Sequence, residues 1–364
     1  MYRLVRPLLF RLDPERAHGA GMLAVRLGSA APGVVRAMYG GPSARLAQTL
    51  WELPFRSPLG LAAGFDKNAE GLGLWPGLGL GFAEVGSVTA CASEGNPKPR
   101  AFRLNEDRAL INRMGLNNEG AEAVARRLRR TDWPAEFVVA VNIAKTHDPG
   151  ILGDAGVEDF HTSVRHLLPH ADLLVLNVSC PNTAEGKTFE DPEALDALLT
   201  TVMAERAGQA SHVPVLVKLS PPGPDGLDAE AVNESVAVCL GHGVAGFVAT
   251  NTTSDRDNLT TPASRLDAIG RGGLSGAPLA ARADQMIRHL YTTTGGSVPL
   301  IGVGGIDSAE AAYRRIRLGA SLVETYTGLV YEGPGLVRRI HRGLVKCLDR
   351  DGLDSIADAV GLDA

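Results

Sequence analysis

Cys180, Lys67, Lys218 and four asparagines (Asn112, Asn177, Asn182 and Asn251) are the residues best placed for chemistry in this sequence. Lys218 stands alone inside Val215-Leu216-Val217-Lys218-Leu219. A buried lysine is rarely tolerated without a partner, so a cation inside such a run faces a ligand or a counter-charge. Amides both donate and accept, and a ring of them suits a flat heterocycle with alternating N–H and C=O groups. Cys180, in Asn177-Val178-Ser179-Cys180-Pro181-Asn182, carries a thiol of ordinary pKa about 8.5, open to use as a thiolate base. A free Cys is more usually a small buried hydrophobe. Lys67, after Gly64-Phe65-Asp66, can clamp a carboxylate. Gly302-Val303-Gly304-Gly305, paired with Tyr326-Thr327 in the next unit, suits a phosphate, because backbone N–H groups approach it closely where no Cβ intervenes. The spacing breaks the dinucleotide fingerprint G-x-G-x-x-G. Flavin mononucleotide (FMN) is the natural ligand for such a site.

These residues need elements to hold them. Eight short apolar runs alternate with helix-compatible segments: 60–64, 82–88, 137–144, 172–180, 214–220, 246–252, 299–305 and 321–327. Helices are expected over 118–130, 192–207, 229–241, 278–294 and 308–318. Eight βα units with continuous apolar strands predict an α/β fold, a (β/α)8 TIM barrel rather than an open doubly wound sheet. The chemical residues then fall at strand ends, where a barrel builds its site. The expected organisation is an N-terminal helical hairpin over 1–40, a connector over 41–57, the barrel over 58–345 and a tail over 346–364.

Residues 1–40 hold six Arg and no Lys against Asp13 and Glu15, and Leu4, Val5, Leu8, Leu9 and Leu12 recur at helical spacing. Asp13-Pro14-Glu15 reads as a helix start, with a second helix to about Gly28. The pair either caps a larger core or rests on a membrane surface as a basic amphipathic element.

Composition narrows the function. With 36 basic and 41 acidic residues the net charge is −5, which opposes a nucleic-acid footprint. Cys91, Cys180, Cys239 and Cys347 lie far apart without a C-x-x-C pair, so neither a metal site nor a disulfide framework is expected, and the compartment reads as reducing. No run of about 18 apolar residues exists, and Arg11 and Asp13 cut the first apolar stretch too early for a signal peptide.

Taken together, residues 60–67 (GLAAGFDK), 111–115 (INRMG), 177–183 (NVSCPNT), 249–253 (ATNTT), 272–276 (GGLSG) and 301–306 (IGVGGI) resemble the dihydroorotate dehydrogenase family, over Asp13 to about Gly335. Asp13-Pro14-Glu15-Arg16-Ala17-His18 resembles its quinone-using, membrane-associated class. The resemblance implies oxidation of dihydroorotate to orotate in pyrimidine biosynthesis, through FMN to a quinone. It implies a monomer lying peripherally on the cytoplasmic side of the cell membrane, with the helical extension forming a quinone tunnel. FMN contacts would be Ala63, Gly64, Ser87, Asn142, Asn177, Lys218, Thr250, Gly276, Gly305, Tyr326 and Thr327. Substrate contacts would be Lys67, Asn112, Arg113, Met114, Gly115, Leu116, Asn177, Asn182, Asn251 and Thr252. His18 and Arg103 would line the quinone end, and Cys180 falls on the catalytic base. The sequence departs from the quinone class in Cys180, where that class has Ser, and in Ser87, Leu116, Ala144 and Thr146. Cys at the base is typical of the soluble class, which passes electrons to fumarate or NAD. The rival outside redox chemistry is a barrel that merely binds a phosphorylated ligand.

Overall fold

The computed structural model describes residues 2–179 and 188–364, so Cys180 and Asn182 lie outside the described residues. Eight parallel strands close a barrel: β3 (Leu59–Leu61), β4 (Phe82–Val88), β7 (Val138–Ile143), β8 (Leu173–Asn177), β9 (Val215–Leu219), β10 (Gly246–Ala249), β12 (Leu300–Val303) and β13 (Leu322–Thr325). Each lies within one of the expected runs or overlaps it. The pleat ends up to three residues early because the last residues of a run turn out of the ladder toward the mouth. Helices α4 (Ala121–Arg130), α5 (Asp154–Leu167), α6 (Pro192–Gly208), α7 (Ala229–Gly241), α8 (Ala263–Ile269), α9 (Ala280–Thr294), α10 (Ala309–Arg317), α11 (Thr327–Glu332) and α12 (Gly335–Asp351) complete the units.

The segment expected as a connector is a β-hairpin, β1 (Gln48–Leu50) with β2 (Leu53–Phe55), that plugs the amino end of the barrel. Phe55 packs edge-on against Phe82, ring centroids 5.7 Å apart, among Val138, Leu173, Leu216, Ile301 and Leu322. Gly60 is required here: a Cβ would come within 2.3 Å of the Phe82 ring. Fully burying one such aromatic side chain contributes roughly 1.5–3 kcal/mol.

A three-stranded antiparallel sheet, absent from the sequence expectations, stands at the carboxyl end. It comprises β5 (Ala101–Leu104), β6 (Ala109–Asn112) and β11 (Gly273–Gly276), inserted after β4 and β10.

The N-terminal segment holds three helices rather than two: α1 (Tyr2–Leu9), α2 (Pro14–Ser29) and α3 (Pro32–Tyr39). The Asp13 carboxylate accepts from the Glu15 and Arg16 N–H groups, the expected cap. α3, with Gly33 and two Val, has weak helix propensity; its Val35 packs onto Gly77, so tertiary contact decides its conformation. Glu15 on α2 pairs with Arg100 beside the upper sheet at 2.7 Å, and the Tyr2 hydroxyl donates to the Val330 carbonyl of α11 at 2.5 Å. The extension therefore lies on the carboxyl side. α12 runs through the expected boundary at 345, and the chain end is pinned by Arg317 to Asp363 at 2.6 Å.

Candidate active site

The barrel interior changes character two residues up β4, β7, β9 and β13. Above the apolar layer of Phe82, Ala140, Leu216 and Leu322 come Glu84, Asn142, Lys218 and Glu324, all buried. Lys218 donates to the Glu84 carboxylate at 2.8 Å and Asn142 Nδ2 donates to the other oxygen at 2.5 Å. Burial alone would raise the Glu84 carboxyl, but the Lys218 ammonium beside it holds it below the usual range. Burial likewise favours neutral Lys218, and the Glu84 charge outweighs it, raising the lysine. Asn142 is oriented by Glu84, which as a carboxylate only accepts; its Oδ1 is left buried with no partner among the described residues. Sequence reasoning missed Glu84 and Glu324. The signal that singles out Lys218, a lone charge in an apolar strand, is present in Phe82-Ala83-Glu84-Val85 and Leu322-Val323-Glu324.

At the strand ends the asparagines converge. Asn251 Nδ2 donates to Asn177 Oδ1 at 3.1 Å and to Ser179 Oγ at 2.7 Å; Ser179 Oγ donates to Asn177 Oδ1 at 2.8 Å; Asn177 Nδ2 donates to Ser87 Oγ at 3.3 Å. Ser179, not singled out beforehand, is thus part of the network. The peptide bonds Gly86–Ser87 and Ala249–Thr250 at this mouth are cis. Thr252 touches β11: a Cβ on Gly273 would fall 2.1 Å from Thr252 Oγ1. Asn112, whose Nδ2 donates to the Gly273 carbonyl at 3.4 Å, is held beside it.

Lys67 donates to the Gly64 carbonyl at 2.8 Å, and burial pulls its ammonium down to about 8. Met114 and Gly115 accept through their carbonyls from Asn96 N–H and Ser93 Oγ, and Leu116 takes φ +51°. The Arg113 guanidinium is committed elsewhere, to the Ile269, Arg271 and Pro99 carbonyls, so it is occupied by the fold. Its backbone is engaged as well, the N–H donating to the Arg100 carbonyl at 2.8 Å and the carbonyl accepting from Asn96 Nδ2 at 2.9 Å.

The glycine-rich side of the mouth is also assembled. Ser275 and Thr327 hydroxyls lie 2.8 Å apart, joining Gly276 to the start of α11, and Thr325 Oγ1 donates to the Ile306 carbonyl at 2.8 Å, bringing in the Gly304-Gly305 turn. Arg315, buried against Asp284, donates to the Gly304 carbonyl at 3.0 Å and stiffens that turn. The leading N–H groups at the start of α11 stand beside Gly276, Gly304 and Gly305, all at positive φ, a donor set of the kind an anion would meet. A planar heterocycle with a phosphate tail fits this donor set: amides and the orphan Asn142 oxygen at one end, Lys218 beneath, small-residue backbone at the other.

A ring path leads outward. Tyr326, raised to about 12 by burial, lies 5.2 Å from Phe65, and Phe65 lies 5.2 Å from His18 on α2. Burial, then the charge of Lys67, lowers His18 to about 4, so it is neutral at pH 7. Arg103 grips the turn between α1 and α2, donating to the Leu12 carbonyl at 2.9 Å and covering the Phe10 ring at 4.8 Å. Among the described residues, eight of ten exposed large hydrophobics lie on this extension, including Leu4, Leu8, Leu23, Leu27, Val34 and Met38. No described helix is long and apolar enough to cross a membrane.

Comparison with known proteins bears on this geometry. Residues 45–348 match the family model described as dihydroorotate dehydrogenase. The chain is 47% identical to dihydroorotate dehydrogenase (quinone) of Nocardia farcinica, covering 99% of this chain and 96% of that protein. It is 43% identical to the protein of that name from Gloeobacter violaceus, covering 99% and 98%. The crystal structure of DHODH with ferulenol from Eimeria tenella superposes with a TM-score of 0.84 at 33% identity, over 96% of each chain.

Proposed function

The chain belongs to the dihydroorotate dehydrogenase family, and from that membership we propose how its residues carry the reaction. The reaction is oxidation of dihydroorotate to orotate, a step of pyrimidine biosynthesis, with a quinone as acceptor. The flavin is FMN. Ser87, Asn142, Asn177, Lys218 and Thr250 hold its ring edges; Gly276, Gly305, Tyr326 and Thr327 hold its phosphate; Ala63 and Gly64 supply close-packed backbone. When bound, FMN supplies the hydride acceptor and passes the electrons to quinone.

The chain's own residues do the rest. Lys67 takes the substrate carboxylate. Asn112, Asn177, Asn182 and Asn251, with Thr252 and the loop from Arg113 to Leu116, match the alternating N–H and C=O groups of the dihydropyrimidine. Cys180, next to Ser179 in sequence, removes the C5 proton as hydride leaves C6. Lys218 would hold the flavin ring and supply positive charge toward the electron density it gains. His18 and Arg103 line the quinone end, and the exposed apolar face of the Arg-rich extension lies on the cytoplasmic membrane surface, as a monomer whose site residues all come from one chain.

The observation that carries this reading is the convergence of Asn177, Ser179 and Asn251 with Ser87 above the Lys218–Glu84 pair. Anaerobic addition of dihydroorotate to the purified protein is the test. Loss of the oxidised flavin absorbance supports it; a protein that holds FMN but does not bleach overturns the substrate.

A further inference from the structure

Glu324 sits in the polar layer beneath the site with both carboxyl oxygens buried and no hydrogen-bond donor for either among the described residues. Glu84 faces it, close enough for the two carboxyls to repel, and Lys218 is the remaining charge that acts on it. The donors around it are directed at Glu84 instead. Lys218 is directed at Glu84 at 2.8 Å, and Asn142 gives its Nδ2 to Glu84 at 2.5 Å. Two carboxylates and one ammonium would leave this buried layer with a net negative charge. An uncompensated buried charge is costly, and the group takes up a proton instead.

We infer that Glu324 carries a proton and donates it to Glu84, acting as a positioning residue that keeps the Lys218–Glu84–Glu324 layer electrically neutral under the flavin site. A neutral layer leaves the Lys218 ammonium effective toward electron density gained above it. Losing the Glu324 proton adds one negative charge there and opposes that gain. Burial first, and the Glu84 charge second, push the Glu324 carboxyl well above its ordinary range, in the same direction. The electrostatic half of this inference rests on the flavin reading; the proton on Glu324 does not.

Infrared spectroscopy of the full-length protein across pH tests the first half, with Glu324→Gln as reference. The expected result is a protonated-carboxyl C=O band at pH 7 that shifts in D2O and is missing from E324Q. No such difference overturns the inference, whatever the protein binds. The midpoint potential of bound flavin tests the second half. In the wild type it should bend downward at the alkaline pH where the infrared band disappears, and E324Q should lack that bend. Coincident profiles through the pH at which the band disappears overturn the electrostatic role. If no flavin binds, the functional reading fails while the infrared result still decides the proton.

Discussion

Lys218 and Glu84, 134 residues apart in sequence, form an ion pair at 2.8 Å inside the barrel, both nearly inaccessible to solvent. They come from β9 and β4, three strands apart round the barrel. The pair keeps a lysine cation in a place where burial alone would neutralise it.

Replacing Lys218 with Met strands the Glu84 carboxylate. Urea denaturation should report a loss of about 3–5 kcal/mol, much of it recovered when Glu84→Gln is added. An unchanged midpoint in the single variant would mean that the pair is not buried as described.

Cys180→Ala should keep FMN bound and slow flavin reduction by dihydroorotate about 10²–10⁴-fold in stopped-flow traces. In the wild type the rate should rise with pH through a thiol ionisation, since only the thiolate accepts a proton. Reduction at the wild-type rate removes Cys180 from the base role.

The exposed leucines of the extension should matter for membranes rather than folding. Leu8 and Leu27 are 62% and 69% exposed, so L8E/L27E should change stability by less than about 0.5 kcal/mol per site. Sedimentation with anionic vesicles should fall sharply. Equal sedimentation of variant and wild type would refute the membrane face.

His341 gives a pH signature. Burial lowers it to about 4, with its Nε2 2.7 Å from Ser57 Oγ, so the folded state holds it neutral while the unfolded chain titrates near its ordinary value. Its contribution is complete above the unfolded pKa and is lost as pH falls from about 6.5 toward 4, on the order of 3 kcal/mol at the low end. His341→Gln should flatten the stability profile between those limits; a profile as steep as the wild type's would assign the loss to other groups.

The barrel was legible because its strands are buried on both faces and read as unbroken aliphatic runs, and Lys218 because a charge inside such a run must have a partner. The same rule applies to Glu84 and Glu324, which the sequence reading passed over, but it does not say that they meet Lys218. Which charges face one another depends on strand order and register, set by barrel closure and absent from any local pattern. The plug hairpin ending in Phe55, the weak helix α3 and the sheet joining Asn112 to Gly273 across 161 residues are short, without distinctive periodicity, and are held by contacts from elsewhere in the chain. Residue types and local order came from the sequence itself: eight units, Asn177 and Asn251 at the ends of two of them, the Asp13 cap. Tertiary structure alone decided which side chains share the barrel interior, because low-dielectric burial and hydrogen-bond satisfaction act between groups that only closure brings together.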